Sequence, residues 1–315
     1  MSVSNRRPTQ DDLLAWMQSL SNWGRWGADD QRGTLNLLSP EKTKRALGLV
    51  QEGATVSCAR RISYEAGPDT PRPPQHFMVR SGDPYRPGEG PDRQGAADYF
   101  GLIFHGHTVT HIDSLAHFFW DGRMYNGRPS TLVSTLEGAT SHAVDVAHGG
   151  IITRGVLVDA PMLRGVELVQ RGDGVGLADV EQAERECGFR IEAGDVLLLR
   201  TGQLGYRERT GPVDPVVAGS AGPLPELLPL LRERGVAVLG SDTGNDVQPT
   251  GYDGFSNPVH QIGIVALGLW ILDNAWLDDL AEACRARNRW DFLMTILPLR
   301  IPNGTGSPVN PVAVF

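Results

Sequence analysis

Residues 105–117 read HGHTVTHIDSLAH, and they hold four of the chain's eight histidines together with one aspartate. Neutral imidazoles and a carboxylate gathered this densely form the usual ligand set of zinc, manganese or iron. Positions 107, 111 and 113 share odd parity, so an extended backbone would turn His107, His111 and Asp113 to one face. A helix would align His107 with His111 but carry Asp113 about 160° round from His111. The intervening Thr108, Val109 and Thr110 are β-branched and favour the extended form. The expectation is three metal ligands at the end of a strand, with His117 just beyond. His105 shares their parity and is either a further ligand or a hydrogen-bonded residue beside the site.

The rest of the chain sets bounds on what such a site could serve. With 315 residues, 40% of them hydrophobic, the sequence can bury a substantial core. A net charge of -8 leaves no basic stripe to neutralise phosphates, which argues against a nucleic-acid partner. The arginines are scattered, and Arg60-Arg61, like Arg285 and Arg287, read as solvated surface. Cys58, Cys187 and Cys284 are odd in number and contain no CxxC pair, a pattern that suits free thiols in a reducing cytoplasm. The N-terminal residues are polar without an apolar targeting core. The longest apolar run, residues 262–272, is about half of what crosses a bilayer. It reads as a buried helix or strand, and no membrane association is expected.

Working outward, residues 11–20 (DDLLAWMQSL) place acidic residues before apolar ones at helical spacing. Ser39-Pro40 supplies a cap and a first-turn proline for a helix through about residue 49. Residues 54–60 look like a strand. Residues 66–97 are dense in Pro, Gly and Asp, and a segment of that length reads as a substrate-side flap. Beyond the histidines, residues 155–159, 195–199 and 236–240 are short apolar runs typical of buried strands. Helical stretches at 177–187 and 224–234 separate them, closed by Gly188 and Gly235. A helix at 276–287 and a strand at 292–300, interrupted by Pro298, follow. Strands alternating with helices indicate an α/β fold, a mixed sheet flanked by helices. One domain over 1–315 is expected, with an N-terminal extension at 1–53 and the insertion at 66–97.

The pattern HxxxHxDxxxH, filled by His107, His111, Asp113 and His117, resembles the signature of the metal-dependent cyclase family, which includes bacterial kynurenine formamidases and isatin hydrolase. FHGHTVTHIDSLAHFFWDGRMYNG, GVLVDAP, DVLLLRTG, LGSDTGNDV and the closing FLMTILPLRIPNGTGSPVNPVAVF are similar to segments of its longer members. The resemblance implies a swivelling β/α/β architecture and a homodimer or homotetramer. It implies that His107, His111 and Asp113 bind the metal and that His117 is the catalytic acid/base. Binuclear members add a later histidine and a glutamate about twelve residues on. Here His260 is followed by Asp273, shorter by a methylene and offset by thirteen, so these two hold either a second metal or substrate.

A divalent ion held by three protein ligands keeps positions open for water and a substrate carbonyl. His117, with an ordinary pKa near 6.5, suits proton transfer to a leaving nitrogen, although it also reads as a fourth ligand or a packed residue. His260 and Asp273 have bland readings too, as a packed histidine and a helix cap. Asp242 ends an expected strand, where α/β sites gather, but GSDTGND also reads as a turn. Phe118, Phe119, Trp120 and Tyr125 either line an aryl pocket or pack the core. The absence of G-x-S-x-G and HExxH counts against a serine hydrolase and a zincin peptidase. The expected function is a cytoplasmic metal-dependent amidohydrolase with one or two zinc or manganese ions, acting on an amide, formamide or cyclic amide of a small molecule. The alternatives are a ring-closing cyclase or dehydratase, and a non-catalytic protein stapled by its metal.

Overall fold

Val196, Leu197, Leu198 and Leu199 are all fully buried, because the strand they form has neighbours on both edges and cover on both faces. The computed structural model describes residues 7–88 and 94–315. Among these, nine strands make the main sheet: β1 (Thr55–Ser57), β2 (His111–Asp113), β3 (Ile151–Asp159), β4 (Val196–Arg200), β5 (Val238–Ser241), β6 (Trp270–Asp273), β7 (Asp291–Ile296), β8 (Gly306–Pro308) and β9 (Val312–Val314). Their order across the sheet is β1-β9-β7-β3-β4-β5-β6-β2-β8. The centre, β3 to β6, is parallel, and both flanks are antiparallel. This is the mixed sheet flanked by helices that the alternation of elements leads one to expect.

The helices begin and end where local chemistry directs. The Ser39 hydroxyl accepts from the Lys42 amide 3.1 Å away and opens Pro40–Leu47. Leu228–Arg234 stops at Gly235, which adopts φ +70°. Leu177–Glu186 and Asp278–Arg287 fall within the expected ranges. Differences from expectation are local. The strand expected at 54–60 is only Thr55–Ser57, and β7 ends at Ile296, before Pro298 can remove a ladder donor. The apolar run at 262–272 is neither one helix nor one strand. Gln261–Leu267 is π-helical, Gly268 turns the chain at φ +66°, and β6 follows.

The N-terminal region buttresses this irregular segment. Its π-helical carbonyls accept from Asn22 and Trp23: the Asn22 amide donates to Ala266 O at 2.9 Å and Trp23 Nε1 to Val265 O at 2.7 Å. Gly33 lets the backbones meet, since a Cβ there would lie 2.2 Å from Gly268 O. Of the proline- and glycine-rich insertion, residues 89–93 lie outside the described residues. Its flanks, Gln75–Arg80 and Ala97–Gly101, form a two-stranded antiparallel ribbon. Phe77 stacks on Tyr99 at 4.8 Å, and both face solvent together with Val79.

His142 is completely buried, edge-on to Tyr125 with centroids 5.7 Å apart. Burial and the Arg128 charge push its pKa down to about 4. Between pH 6.5 and about 4 the unfolded chain therefore takes up a proton that the folded chain refuses, so stability falls as pH falls through that window. The loss has a ceiling on the order of 3 kcal/mol. His142 has φ +60°, which asparagine tolerates. His142→Asn should flatten this limb of the stability–pH curve in urea unfolding; an unchanged slope would contradict the assignment.

Candidate metal centre

Register places the first three groups. In the antiparallel pairing of β6 with β2, Asp273 lies opposite His111, and Ile271 lies opposite Asp113. Directly opposed side chains share a face, so His111, Asp113 and Asp273 emerge together while Ile112 and Leu272 are buried on the other side. On the other edge of β2, Gly306 faces Asp113. A Cβ at Gly306 would lie 2.6 Å from Ile112 O and 2.9 Å from His105 Cε1, so glycine leaves the space that His105 occupies. His105 Nδ1 sits 2.9 Å from Asp113 Oδ1, and its Nε2 lies 2.9 Å from Thr305 Oγ1.

The fourth wall comes from the π-helical region. His260 is in the turn that precedes Gln261–Leu267, with Nε2 3.4 Å from Asp113 Oδ2 and 3.6 Å from Asp273 Oδ2. Asp246 holds this ring. His260 Nδ1–H donates to Asp246 Oδ2 at 2.6 Å, and the Val259 amide donates to Asp246 Oδ1 at 2.8 Å. Asn245 Nδ2 donates to Asp273 Oδ1 at 2.6 Å and fixes the second carboxylate.

These contacts decide where the lone pairs point. His111 Nδ1 lies 3.0 Å from Val109 O, a pure acceptor, so Nδ1 carries the proton and Nε2 is bare in the neutral ring. Asp246 likewise accepts from His260 Nδ1, which makes Nε2 the nitrogen directed at Asp113 and Asp273. His111 Nε2 is 3.6 Å from both Asp113 Oδ1 and Asp273 Oδ2. His111 Nε2 and both Asp113 oxygens are buried with no hydrogen-bond partner. Acceptors aimed at acceptors are unfavourable unless a cation lies between them. Ligand atoms about 2.1 Å from a tetrahedral ion are about 3.4 Å apart, close to these spacings. The residues present therefore fit a divalent metal, with histidines backed by a carbonyl and a carboxylate in the manner of oriented metal ligands. Two overlapping sets, His105–His111–Asp113 and Asp113–His260–Asp273, each bring their ligand atoms within 4.8 Å of one another.

Burial opposes the charge on Asp113, but the neighbouring rings of His117, His111, His105 and His260 hold its carboxyl well below the usual range. His260 is raised well above its ordinary value, because Asp273, Asp113 and Asp246 outweigh the burial that would lower it. Burial pushes His117 down to about 4 despite Asp113. His117 stacks face to face on His105, 3.8 Å between centroids, with Nε2 3.8 Å from Asp113 Oδ1. It is a quarter exposed, so it stands at the open side of the cluster.

The structure thus brings together His111, Asp113, His117, His260 and Asp273, and it adds His105. His107 is placed differently from the expected strand. Residues 105–108 form a turn, with Gly106 at φ +99°, and β2 begins only at His111. The His107 ring packs beside Gly244 and lies outside both ligand sets. Asp246, Asn245 and Thr305 carried no separate signal in the sequence, because each acts through a partner remote in the chain. Arg60 overturns its reading as solvated surface: it is buried, and its Nη1 donates to His107 O. Asp242 accepts from Thr201 N, Thr201 Oγ1 and Gly202 N at 2.7–2.8 Å, tying the end of β5 to the end of β4. Of the aromatics, Tyr125 is core, Trp120 stacks on Phe255 at 4.7 Å, and Phe118 lies 4.9 Å from the His260 ring.

Comparison with known proteins places this arrangement. The family described as "Putative cyclase" matches residues 56–245. A crystal structure of a novel cyclase is 32% identical, with TM-score 0.85, covering 94% of this chain and 100% of its own. Isatin hydrolase A from Ralstonia solanacearum is 21% identical, with TM-score 0.56, over 86% of this chain and 94% of its own. A "predicted metal-dependent hydrolase" from Bacillus stearothermophilus is 13% identical, with TM-score 0.52, over 82% and 97%. No curated protein matches the sequence.

If Asp246 orients His260 as a ligand, Asp246→Asn should weaken divalent-metal binding by about 10–100-fold. Competition with a chromogenic chelator measures this directly. An affinity equal to wild type would show that His260 does not bind the ion.

Proposed function

The chain belongs to the cyclase family, and from its buried cluster we propose that it is a metal-dependent hydrolase of non-peptide C–N bonds. Its substrate in this reading is an amide, a formamide of the arylformamidase type or a cyclic amide. The observation that carries the reading is the convergence of two imidazole nitrogens, His111 Nε2 and His260 Nε2, on two buried carboxylates. Structural neighbours that are hydrolases, an isatin hydrolase among them, support it.

Two imidazoles and two carboxylates suit zinc or manganese, and the sharing of Asp113 between the two ligand sets accommodates one ion or two. Such an ion supplies Lewis acidity towards a carbonyl and lowers the pKa of water. The chain supplies the rest. Asp113 and Asp273 contribute the negative charge that retains the ion, while Val109 O and Asp246 hold the two imidazoles in the ligating tautomer. Phe118 shields the His260 ring from solvent. His117, at the open side, accepts a proton from the attacking water. As the C–N bond breaks, it returns that proton to the nitrogen, so that an acid and an amine result. His107 remains in this reading a residue of the site's wall that reaches the ion only if its turn rearranges.

The reading extends to self-association as a homodimer or homotetramer. A two-stranded ribbon is marginal alone in water, and the apolar face of Phe77, Val79 and Tyr99 is uncovered. A cytoplasmic location accords with the three free cysteines, two of them buried. Among the described residues, no helix is long and apolar enough to cross a membrane.

Turnover of N-formylkynurenine and isatin by the purified protein tests the reaction. His117→Ala should lower kcat by about 10²–10⁴-fold while metal content is retained. A rate equal to wild type on every hydrolysed substrate would remove His117 from the mechanism. Chelation should abolish turnover, and re-addition of zinc or manganese should restore it.

A further inference from the structure

Behind His107 lies a second cavity that the chemistry above does not use. It opens where β4, β5 and β6 end, the carboxyl edge of the parallel strands, where α/β folds bind small molecules. Leu204, Val213 and Pro215 give it an apolar wall, and Arg60, Arg171 and Arg207 contribute three guanidinium groups. His107 and Asn274 line it as well, and Asn274 directly follows Asp273. His107 and Asn274 thus border the cavity on the side of the metal ligands.

The cations are not equally satisfied. Arg207 grips Asp69 through two hydrogen bonds of 2.7 and 3.0 Å and Glu208 through a third of 2.9 Å. Arg60 is left with the remainder. Its side chain is only 3% exposed, yet Nε and Nη2 have no hydrogen-bond partner. Nη2 lies 3.7 Å from Asp69 Oδ2 and 3.6 Å from Glu208 Oε1, both of which already serve Arg207. Asp242 lines the same space, but Thr201 and Gly202 occupy its oxygens. Among the described residues, Arg171 has no hydrogen bond or ion pair. Two carboxylates thus balance the Arg60 charge at ion-pair distance but leave its Nε and Nη2 donors without hydrogen bonds, which costs free energy in a buried group. Its planar Nε–Nη2 edge has the geometry for the two oxygens of a carboxylate and, being buried here, reaches a bound anion through a shift of the Arg60 side chain.

We propose that this cavity is a carboxylate-binding subsite, in which Arg60 and Arg171 hold the anionic end of a substrate with an apolar body. The word substrate rests on the hydrolase reading; the binding of the carboxylate does not. The subsite would select acidic amides over neutral ones and would place His107 against the bound molecule rather than in the metal's ligand set.

Titration calorimetry of the full-length protein as purified, with phenylacetate and its neutral isostere phenylacetamide, tests the binding. Phenylacetate should bind at least about 10-fold more tightly than phenylacetamide, the worth of one charge-assisted hydrogen bond. Arg171→Ala, at a partly exposed position, should weaken phenylacetate by a similar factor and leave phenylacetamide unchanged. Arg60→Gln should remove the preference. Equal affinity for the two probes, or equal phenylacetate affinity in wild type and Arg171→Ala, would overturn the subsite. Where a substrate is turned over, phenylacetate should raise KM without lowering kcat. A lowered kcat would overturn the assignment of the carboxylate to the substrate. A protein that binds phenylacetate through these arginines but hydrolyses nothing would sink the hydrolase reading and leave the subsite standing.

Discussion

The carboxylate of Asp113 is wholly buried and has no hydrogen-bond donor on either oxygen. An ionised carboxylate in that position costs several kcal/mol unless positive charge compensates it. Four imidazoles surround it at 2.9–3.8 Å, and a divalent cation held between Asp113 and its neighbours would supply that charge. Much of the fold serves this one group. β2 is three residues long, yet it is paired on both edges, which fixes the face on which Asp113 and His111 emerge.

The supports around it are built from irregular backbone. The π-helical turn Gln261–Leu267 lies between His260 and Asp273, and both of these meet Asp113. Glycines at 33, 268 and 306 permit approaches that any side chain would block. The N-terminal region braces the π-helical carbonyls through Asn22 and Trp23.

How far the sequence revealed this depends on whether a signal was local. The parallel strands were legible because buried both-face strands are continuous apolar runs, as in residues 195–199 and 236–240. Helix ends at Gly188 and Gly235 were legible because a positive φ favours glycine. His111 and Asp113 were legible from parity alone. His107 was not, because two-residue periodicity says nothing about where a strand starts; Gly106, at φ +99°, was the overlooked sign of a turn. Arg60 looked like surface because adjacent arginines usually are, and only the tertiary placement of Asp69 and the His107 turn buries it. His260 and Asp273 came into view only through family likeness, since the contacts that join them to Asp113 and His111 span 140 residues or more. Asp246 lay in a visible turn, but its role depends on a ring fourteen positions away.

The central claim is that His111, His260, Asp113 and Asp273 hold divalent metal, one ion or two, around the shared Asp113. An X-ray anomalous difference map, recorded across the zinc and manganese absorption edges on crystals of the metal-loaded protein, tests it most directly. The account predicts a peak about 2.0–2.3 Å from an Asp113 oxygen and from His111 Nε2 or His260 Nε2, or two peaks that share Asp113. A map without density there, or with the ion held elsewhere and Asp113 facing only water, would contradict it.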